Sequence, residues 1–365
     1  MKKPEIKILD KYIVKKFLGT FFFIILISVT IVIIFDLSEK IDKFVEKSVP
    51  IHEIIFDYFG GFIPWIVNSF SPLLVFISAI FFTSKLAQNS EIVAMLAGGI
   101  SFRRLMAPYM FSAAVICVLS LILGLYIIPP ANEHRLAFEN KYIKQQAIAG
   151  SGKGNLHYQL SPGEFVYVGQ FSTASNTIFG FTLERIEDNQ LKSKLSASSA
   201  AWDSTFGGWH LRNYYIRDFY GDSEVIRTGS HLDTIIGLRI EDFYRRKNSV
   251  ESLNGRDLND LIATQKMRGD DQVKFALIEK NSRLAMPFSA FVLTIIAVSL
   301  SSRKKRGGLG LNIGIGLALS FAYILFMRFS QMFVFKGLME PALAMWLPNI
   351  VFAGIAAILY RIAPK

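Results

Sequence analysis

The sequence predicts a polytopic α-helical membrane protein, six transmembrane helices carrying an inserted all-β domain. Three observations predict it. Of 365 residues 52% are hydrophobic, and they gather into runs instead of scattering as in a soluble core. Five runs of membrane-spanning length hold no charged residue, and a sixth holds one. Between the third and fourth runs lie about 150 residues rich in aromatic and β-branched segments broken by Ser, Asn and Gly, the pattern of antiparallel strands.

A hydrocarbon core of roughly 30 Å needs about 20 residues of helix. Spans are expected at about residues 17–35, 62–83, 107–128, 284–302, 309–335 and 342–360. They divide the chain into an N-terminal transmembrane half (1–128), the β insert with a helical return (129–280) and a C-terminal transmembrane half (281–365). The first run is too long for a cleaved signal and no small-residue cleavage site follows it, so it is expected to stay as an anchor. Pro64, Asn68 and Pro72 interrupt the second span and predict a bend there.

The stretch SKLAQNSEIVAMLAGGISFRRL, residues 84–105, is neither apolar enough to span nor polar enough to be a plain loop. Asn89 or Ser90 can cap a helix over about 89–98, Glu91 falls in its first turn, and Gly98-Gly99 can end it. At 100° per residue Leu86, Ile92, Val93, Leu96 and Ala97 form one arc, with Glu91 on the opposite arc between Ala87 and Ala94. A carboxylate on a small-residue surface suits docking to another protein. A helix lying on lipid headgroups would carry an arginine-rich polar face, whereas Arg103 and Arg104 come after the glycines.

In the insert, residues 164–169, 177–183 and 209–216 read as strands. Leu258, Leu261, Ile262 and Gln265 recur at helical spacing in a segment, 254–280, that leads into span four. Span five carries Gly310, Gly314, Ala318 and Ala322 at i+4 steps, a smooth stripe that admits either a partner helix or the chain's own neighbours. Arg328, about 20 residues beyond a basic loop, falls near the opposite boundary of the membrane. There it either snorkels or lines a cavity for an anionic ligand.

Charge placement sets the topology. Residues 1–16, 84–105, 303–306 and 361–365 hold 15 Lys/Arg against 3 Asp/Glu, so the rest of the chain, with 25 against 26, contains none of the net charge of +11. Alternate ends of the spans carry the excess, which places both termini and two loops in the cytoplasm and the insert outside it. The same placement removes nucleic acid as the reason for a basic chain. On the outer side Lys40, Lys43, Arg135, Lys141 and Lys144 could form a basic rim, although Asp36, Glu39 and Asp42 alternate with the first two, as on an ordinary solvated face.

Chemistry by the chain itself is not expected. Residues 149–154, AGSGKG, lack the earlier glycine of a phosphate loop and have Gly where Ser or Thr should follow the lysine. Any ATP hydrolysis therefore belongs to a partner. The five histidines show no i,i+4 pair and no nearby cysteine, so no metal or cofactor is assigned. Ser, His and Asp in the insert make no triad by inventory alone. The single cysteine, Cys117, lies inside span three, which leaves no intrachain disulfide.

With these residues in hand the chain resembles the LptF/LptG family of lipopolysaccharide-export permeases over essentially its full length. The resemblance is carried by ILDKYIVKKFLGT (residues 8–20), LAQNSEIVAMLAGG (86–99) and the three-plus-three spans around a β insert. The Leu-Asp-Lys-Tyr start and the glycine-rich opening of span five are more like the G-type subunit. The resemblance implies a permease subunit of an ABC transporter in the Gram-negative inner membrane, paired with a paralogous F-type subunit around a V-shaped cavity. It implies a periplasmic jellyroll-like insert that passes lipopolysaccharide to a periplasmic bridge of similar domains. It implies that a cytoplasmic ATPase dimer receives the loop helix through Ala87, Ser90, Glu91, Ala94, Met95 and Gly98, with Glu91 facing a basic residue. It also implies a single-span regulatory protein, for which the Gly310–Ala322 stripe is available. The family's basic positions at the outer end of span one and of span three fall here on Asp36, Ala137 and Asn140. Candidate phosphate contacts are therefore Lys40, Lys43, Arg135, Lys141 and Arg328. Two other classes are weighed: a membrane-anchored periplasmic scaffold or sensor, which has no need for a docking helix, and an ion-coupled secondary transporter, which needs acidic residues the spans lack.

Overall fold

Among the described residues six helices are long and apolar enough to cross a membrane, and the chain is a multi-pass membrane protein with a β insert. The computed structural model describes all residues except 1–7, 144–153, 173, 222, 239, 241–242, 244–246, 271, 303–307 and 364–365. Lys144, most of the 149–154 loop and the basic cluster 303–306 thus lie outside the described residues. The chain divides into a helical unit, residues 1–136, 251–255 and 277–365, and a β unit, residues 137–250 and 256–276.

In the helical unit α1 runs unbroken over Ile8–Glu46, well past the apolar run at both ends, because the polar residues flanking it have good helix propensity and no proline interrupts them. Helix α2 covers residues 51–69, with a π-helical stretch over Ile54–Phe59. It stops at Phe70, whose φ and ψ of −97° and 5° end the helix one residue before α3, Ser71–Gln88. Pro72 occupies the first turn of α3, where its missing N–H costs nothing. The expected bend is there. A short helix α4, Glu91–Ala97, precedes α5, Phe102–Ile143, and Ser101 caps α5 by accepting from the Arg104 amide. The C-terminal half holds α7, Val273–Ser301, α8, Gly308–Phe335, and α9, Pro341–Ile362, after a helical return α6, Gly255–Met267, in the β unit.

Aromatic and aliphatic side chains fill the helical core, among them Ile13, Phe17, Phe76, Ile80, Leu293 and Met345. Lipid tails give helices little hydrophobic drive to associate, so polar links matter inside the membrane. The Tyr323 hydroxyl on α8 donates to Asn349 Oδ1 on α9 at 2.9 Å, and Asn349 Nδ2 donates to the Ala285 carbonyl on α7 at 2.7 Å. Asn312 Nδ2 donates to Ser84 Oγ at 3.1 Å, joining α8 to α3. Ser120 Oγ donates to Asn68 Oδ1 at 2.6 Å, joining α5 to α2 beside its bend. Gly61 permits a close approach of two backbones: a Cβ there would lie 2.3 Å from the Ala131 carbonyl oxygen of α5.

Among the described residues the β unit holds one six-stranded antiparallel sheet whose strands follow chain order. They are β1, Gly154–Ser161, β2, Glu164–Ser172, β3, Thr177–Glu187, β4, Gln190–Asp203, β5, Gly208–Tyr220, and β6, Ser223–Thr234. The three segments read as strands fall in β2, β3 and β5. Asp188 and Asn189, both at positive φ, close the β3–β4 hairpin with a two-residue turn whose twist matches the strands. One sheet face is covered by the chain that follows β6. Trp209, fully buried, donates its indole N–H to the Leu238 carbonyl at 2.9 Å, and Phe243 stacks on Phe171 with centroids 4.2 Å apart. Leu258, Leu261, Ile262 and Gln265 are the buried positions of α6.

The β4–β5 end carries an ion cluster. The His210 ring sits between Asp203 Oδ2, 3.0 Å from Nε2, and Asp233 Oδ1, 2.5 Å from Nδ1. Hydrogen bonding to Asp233 and then Asp203 raises the histidine pKa, and hydrogen bonds from Thr205 and His210 lower that of Asp203. A histidine whose folded pKa is raised stabilises the fold below its unfolded value, about 6.5, and the contribution fades as pH rises through the folded value. His210→Gln should therefore flatten the pH dependence of β-unit melting above about pH 6.5 while leaving melting at alkaline pH nearly unchanged. Circular dichroism at 218 nm against temperature, on the full chain in detergent, measures it.

Candidate functional site

The short helix α4 is set by its two ends. Ser90, at φ 62°, is left-handed, and Gly99, at φ +82°, turns the chain out again. The expected side-chain cap is absent. An N-cap residue ordinarily has extended backbone, which the left-handed Ser90 lacks, and Asn89 donates its amide to Glu91 Oε1 at 3.2 Å. The left-handed turn also resets the helical phase, so the arc drawn from Leu86 through Ala97 does not continue across it. Leu86 and Ala87 belong to α3 and are each 2% exposed, whereas Val93, expected inward, is 54% exposed. Ile92 is the buried anchor of α4. Its open side is made by Ser90, Val93, Ala94, Ala97 and Gly98, with Glu91 and Met95 half-buried at the margin. Ala87 presents no surface.

Glu91 is braced from α1. The Tyr12 hydroxyl donates to Glu91 Oε2 at 3.0 Å. Two residues earlier Asp10 takes both arms of the Arg104 guanidinium, Nη1 to Oδ1 at 2.7 Å and Nη2 to Oδ2 at 2.5 Å, a bidentate pair that fixes orientation as well as distance. One and two turns beyond Asp10, Ile13 and Phe17 are fully buried, with the Phe17 ring centroid 5.5 Å from that of Tyr109. The first turns of α1 are thus fastened to α3, α4 and α5. Sequence reasoning missed this brace. Its residues are separated by 79 and 94 positions, and the only signal was the Leu-Asp-Lys-Tyr string itself.

At the other end of α1 the candidate cations differ in how far their charge is spent. Lys40 donates to Asp36 and to the Tyr58 hydroxyl, while Tyr58 donates to Asp36 Oδ2 at 2.8 Å; the lysine is neutralised within the chain. Lys43 is exposed and has no ion-pair partner among the described residues. Arg135 is 5% exposed, lies over the Trp65 ring at 4.6 Å and approaches Glu251 Oε2 at 3.8 Å. Burial raises the Glu251 pKa, with Glu279 acting the same way and Arg135 against it. Arg283 secures this corner by donating to Glu279 at 2.8 Å and to the carbonyls of Leu253 and Glu251 at 2.8 and 3.2 Å. Arg135 is therefore turned toward Trp65 and Glu251 and is buried. Arg328 is exposed, 3.5 Å from Gln331 Oε1. In the β unit Lys141 is exposed above the Tyr142 ring at 4.5 Å.

The α8 stripe is exposed at Gly310, Gly314, Ala318 and Ala322, and among the described residues no atom of another element lies within 4 Å of a Cβ built at either glycine.

The sequence profile of the family described as lipopolysaccharide export system permease LptF/LptG matches residues 11–362. The chain is 23% identical over 307 residues to the lipopolysaccharide export system permease protein LptG of Escherichia coli K12, covering 80% of each chain. It is 24% identical over 200 residues to an uncharacterized protein of Aquifex aeolicus, covering 53% of this chain and 55% of that one.

Proposed function

The chain belongs to the LptF/LptG family of lipopolysaccharide export permeases, and from that premise we propose that it is the G-type permease subunit of an ABC transporter. It extracts lipopolysaccharide from the outer leaflet of the inner membrane and delivers it to a periplasmic bridge. It catalyses no reaction itself; a cytoplasmic ATPase dimer supplies the energy, and an F-type paralogue completes the cavity. The positive-inside pattern supports cytoplasmic termini and a periplasmic β unit.

The observation that carries this reading is the braced carboxylate. Glu91 is held by Tyr12 and Asn89 at the margin of a small-residue surface, on the side of the membrane where Arg103, Arg104 and Arg361 lie. An anchor for a β-domain would have no use for it. In this reading Ser90, Glu91, Ala94, Met95 and Gly98 meet the ATPase, and Lys43 and Arg328 are the cations free to meet lipid phosphates. Lys40 and Arg135 shape the site from behind, Lys141 serves the β unit, and the α8 stripe receives a single-span regulatory helix.

Reconstitution tests it. Co-expressed with an F-type paralogue and the ATPase, the chain in proteoliposomes loaded with lipopolysaccharide should release it to a soluble bridge domain only when ATP is added. Photo-crosslinkers at positions 43 and 328 should capture the lipid. Release that is indifferent to ATP, or a complex that forms without any ATPase, would overturn the reading.

A further inference from the structure

Between α5, α7 and α9 lies a cleft of about 350 Å³. It is walled by Met106 and Met110 of α5, Val292 and Ile295 of α7, and Ala353 and Ala357 of α9. The alanines create the space. Tyr360, also in the wall, packs on Phe102 with ring centroids 5.6 Å apart and ties the ends of α9 and α5 together. Each of these two rings has an arginine as its chain neighbour. Arg103 sits one turn before Met106 and two before Met110, hence on the same face of α5, and Arg361 sits one turn after Ala357 on α9. Both guanidiniums are exposed, and neither has an ion-pair partner among the described residues. The nearby acids are committed: Asp10 to Arg104 and Glu91 to Tyr12 and Asn89.

We propose that this cleft is a binding site for an anionic glycerophospholipid, one acyl chain in the cleft and the phosphate held by Arg103 and Arg361. The depth fits. From Arg103 to Met110 is about 11 Å along the helix, the distance over which a headgroup gives way to chains. One turn of a transmembrane helix, about 10 Å across and about 5.4 Å long, already has a larger volume than the cleft. Lipid A, with several chains on one headgroup, would leave most of them unhoused, whereas a glycerophospholipid keeps its second chain in the bilayer. Two exposed arginines, each one turn along its helix from a lining residue, would select negative headgroups, because basic clusters at the cytoplasmic ends of spans gain attraction per charge and arginine binds phosphate with two parallel hydrogen bonds. Assignment to the cytoplasmic leaflet rests on the proposed topology; binding itself does not.

Native mass spectrometry of the full chain, purified with whatever partners accompany it and offered equal phosphatidylglycerol and phosphatidylethanolamine, tests the site. Wild-type protein should retain phosphatidylglycerol preferentially. The Arg103→Gln/Arg361→Gln double variant should lose about 30-fold in that retention. Ala357→Phe, which fills the cleft and keeps both arginines, should lose it too, with melting temperature reporting that each variant is folded. Equal retention of the two lipids, unchanged retention in the double variant, or lipid A as the species whose retention follows the arginines would each overturn the proposal. A failure of ATPase binding or of export would leave the retained lipid unchanged, so the two readings fail separately.

Discussion

Glu91→Lys is expected to detach the chain from its ATPase and stop export. Removing one partner of a hydrogen-bonded interfacial charge pair commonly costs about 2–5 kcal/mol, so ATPase recovered with the purified chain should fall at least about 30-fold. The reversal adds repulsion to that loss. The fold should survive, because α4 is held by Ile92, fully buried, and not by the half-buried Glu91. Tyr12→Phe separates the two duties of the carboxylate. It removes the 3.0 Å hydrogen bond from α1 and keeps the charge, so ATPase recovery should stay within a few-fold of wild type. Pull-down followed by single-turnover export measures both variants. A Glu91→Lys protein that keeps its ATPase and exports normally would sink the docking reading. Rescue by an acidic substitution on the ATPase would identify its partner.

Much of this was legible in the sequence, and for identifiable reasons. A bilayer demands long apolar runs, so the six spans stood out from composition. Pro72 and Asn68 marked the break at Phe70 because a missing N–H and freed carbonyls have few solutions inside a membrane. Strands β2, β3 and β5 announced themselves by aromatic and β-branched runs, and the Gly310–Ala322 stripe by its spacing, which left open the side it faces. What pattern could not supply was pairing. Lys40 and Arg135 look like free cations in a string of letters, yet Tyr58 and Asp36 claim one while Trp65 and Glu251 claim the other. Those partners are distant in sequence or belong to the segment returning from the insert. The helical wheel through residues 86–97 failed for a different reason. It assumed one axis, and a single left-handed residue, Ser90, broke it.

The Asp10–Arg104 pair should govern how much lipid moves per ATP. Helix α1 has 39 residues and is about 58 Å long, with no proline to absorb a displacement. Its first turns are fastened to α3, α4 and α5, and its far end to α2 by the Asp36–Lys40–Tyr58 cluster and buried Phe44. Between them Phe22, Phe23, Leu26, Ile31 and Phe35 are exposed, so the middle of the rod has few contacts within the chain to hold it still. In the proposed reading, a tilt imposed on α4 by the ATPase would be delivered to the far end of α1, where Lys43 lies, provided the first turns are clamped. Asp10→Arg or Arg104→Asp places like charges opposite each other and releases the clamp, yet leaves Glu91 and the open side of α4 untouched. Each single reversal should lower lipopolysaccharide released per ATP hydrolysed by about tenfold, toward the lower end of the usual range for coupling between sites, with the ATPase still bound and active. The exchanged pair Asp10→Arg/Arg104→Asp restores opposite charges across the same gap and should recover most of the ratio. If the single variants instead lose bound ATPase in proportion to lost export, or if the exchange rescues nothing, the pair only holds α4 in place and α1 does not carry the stroke.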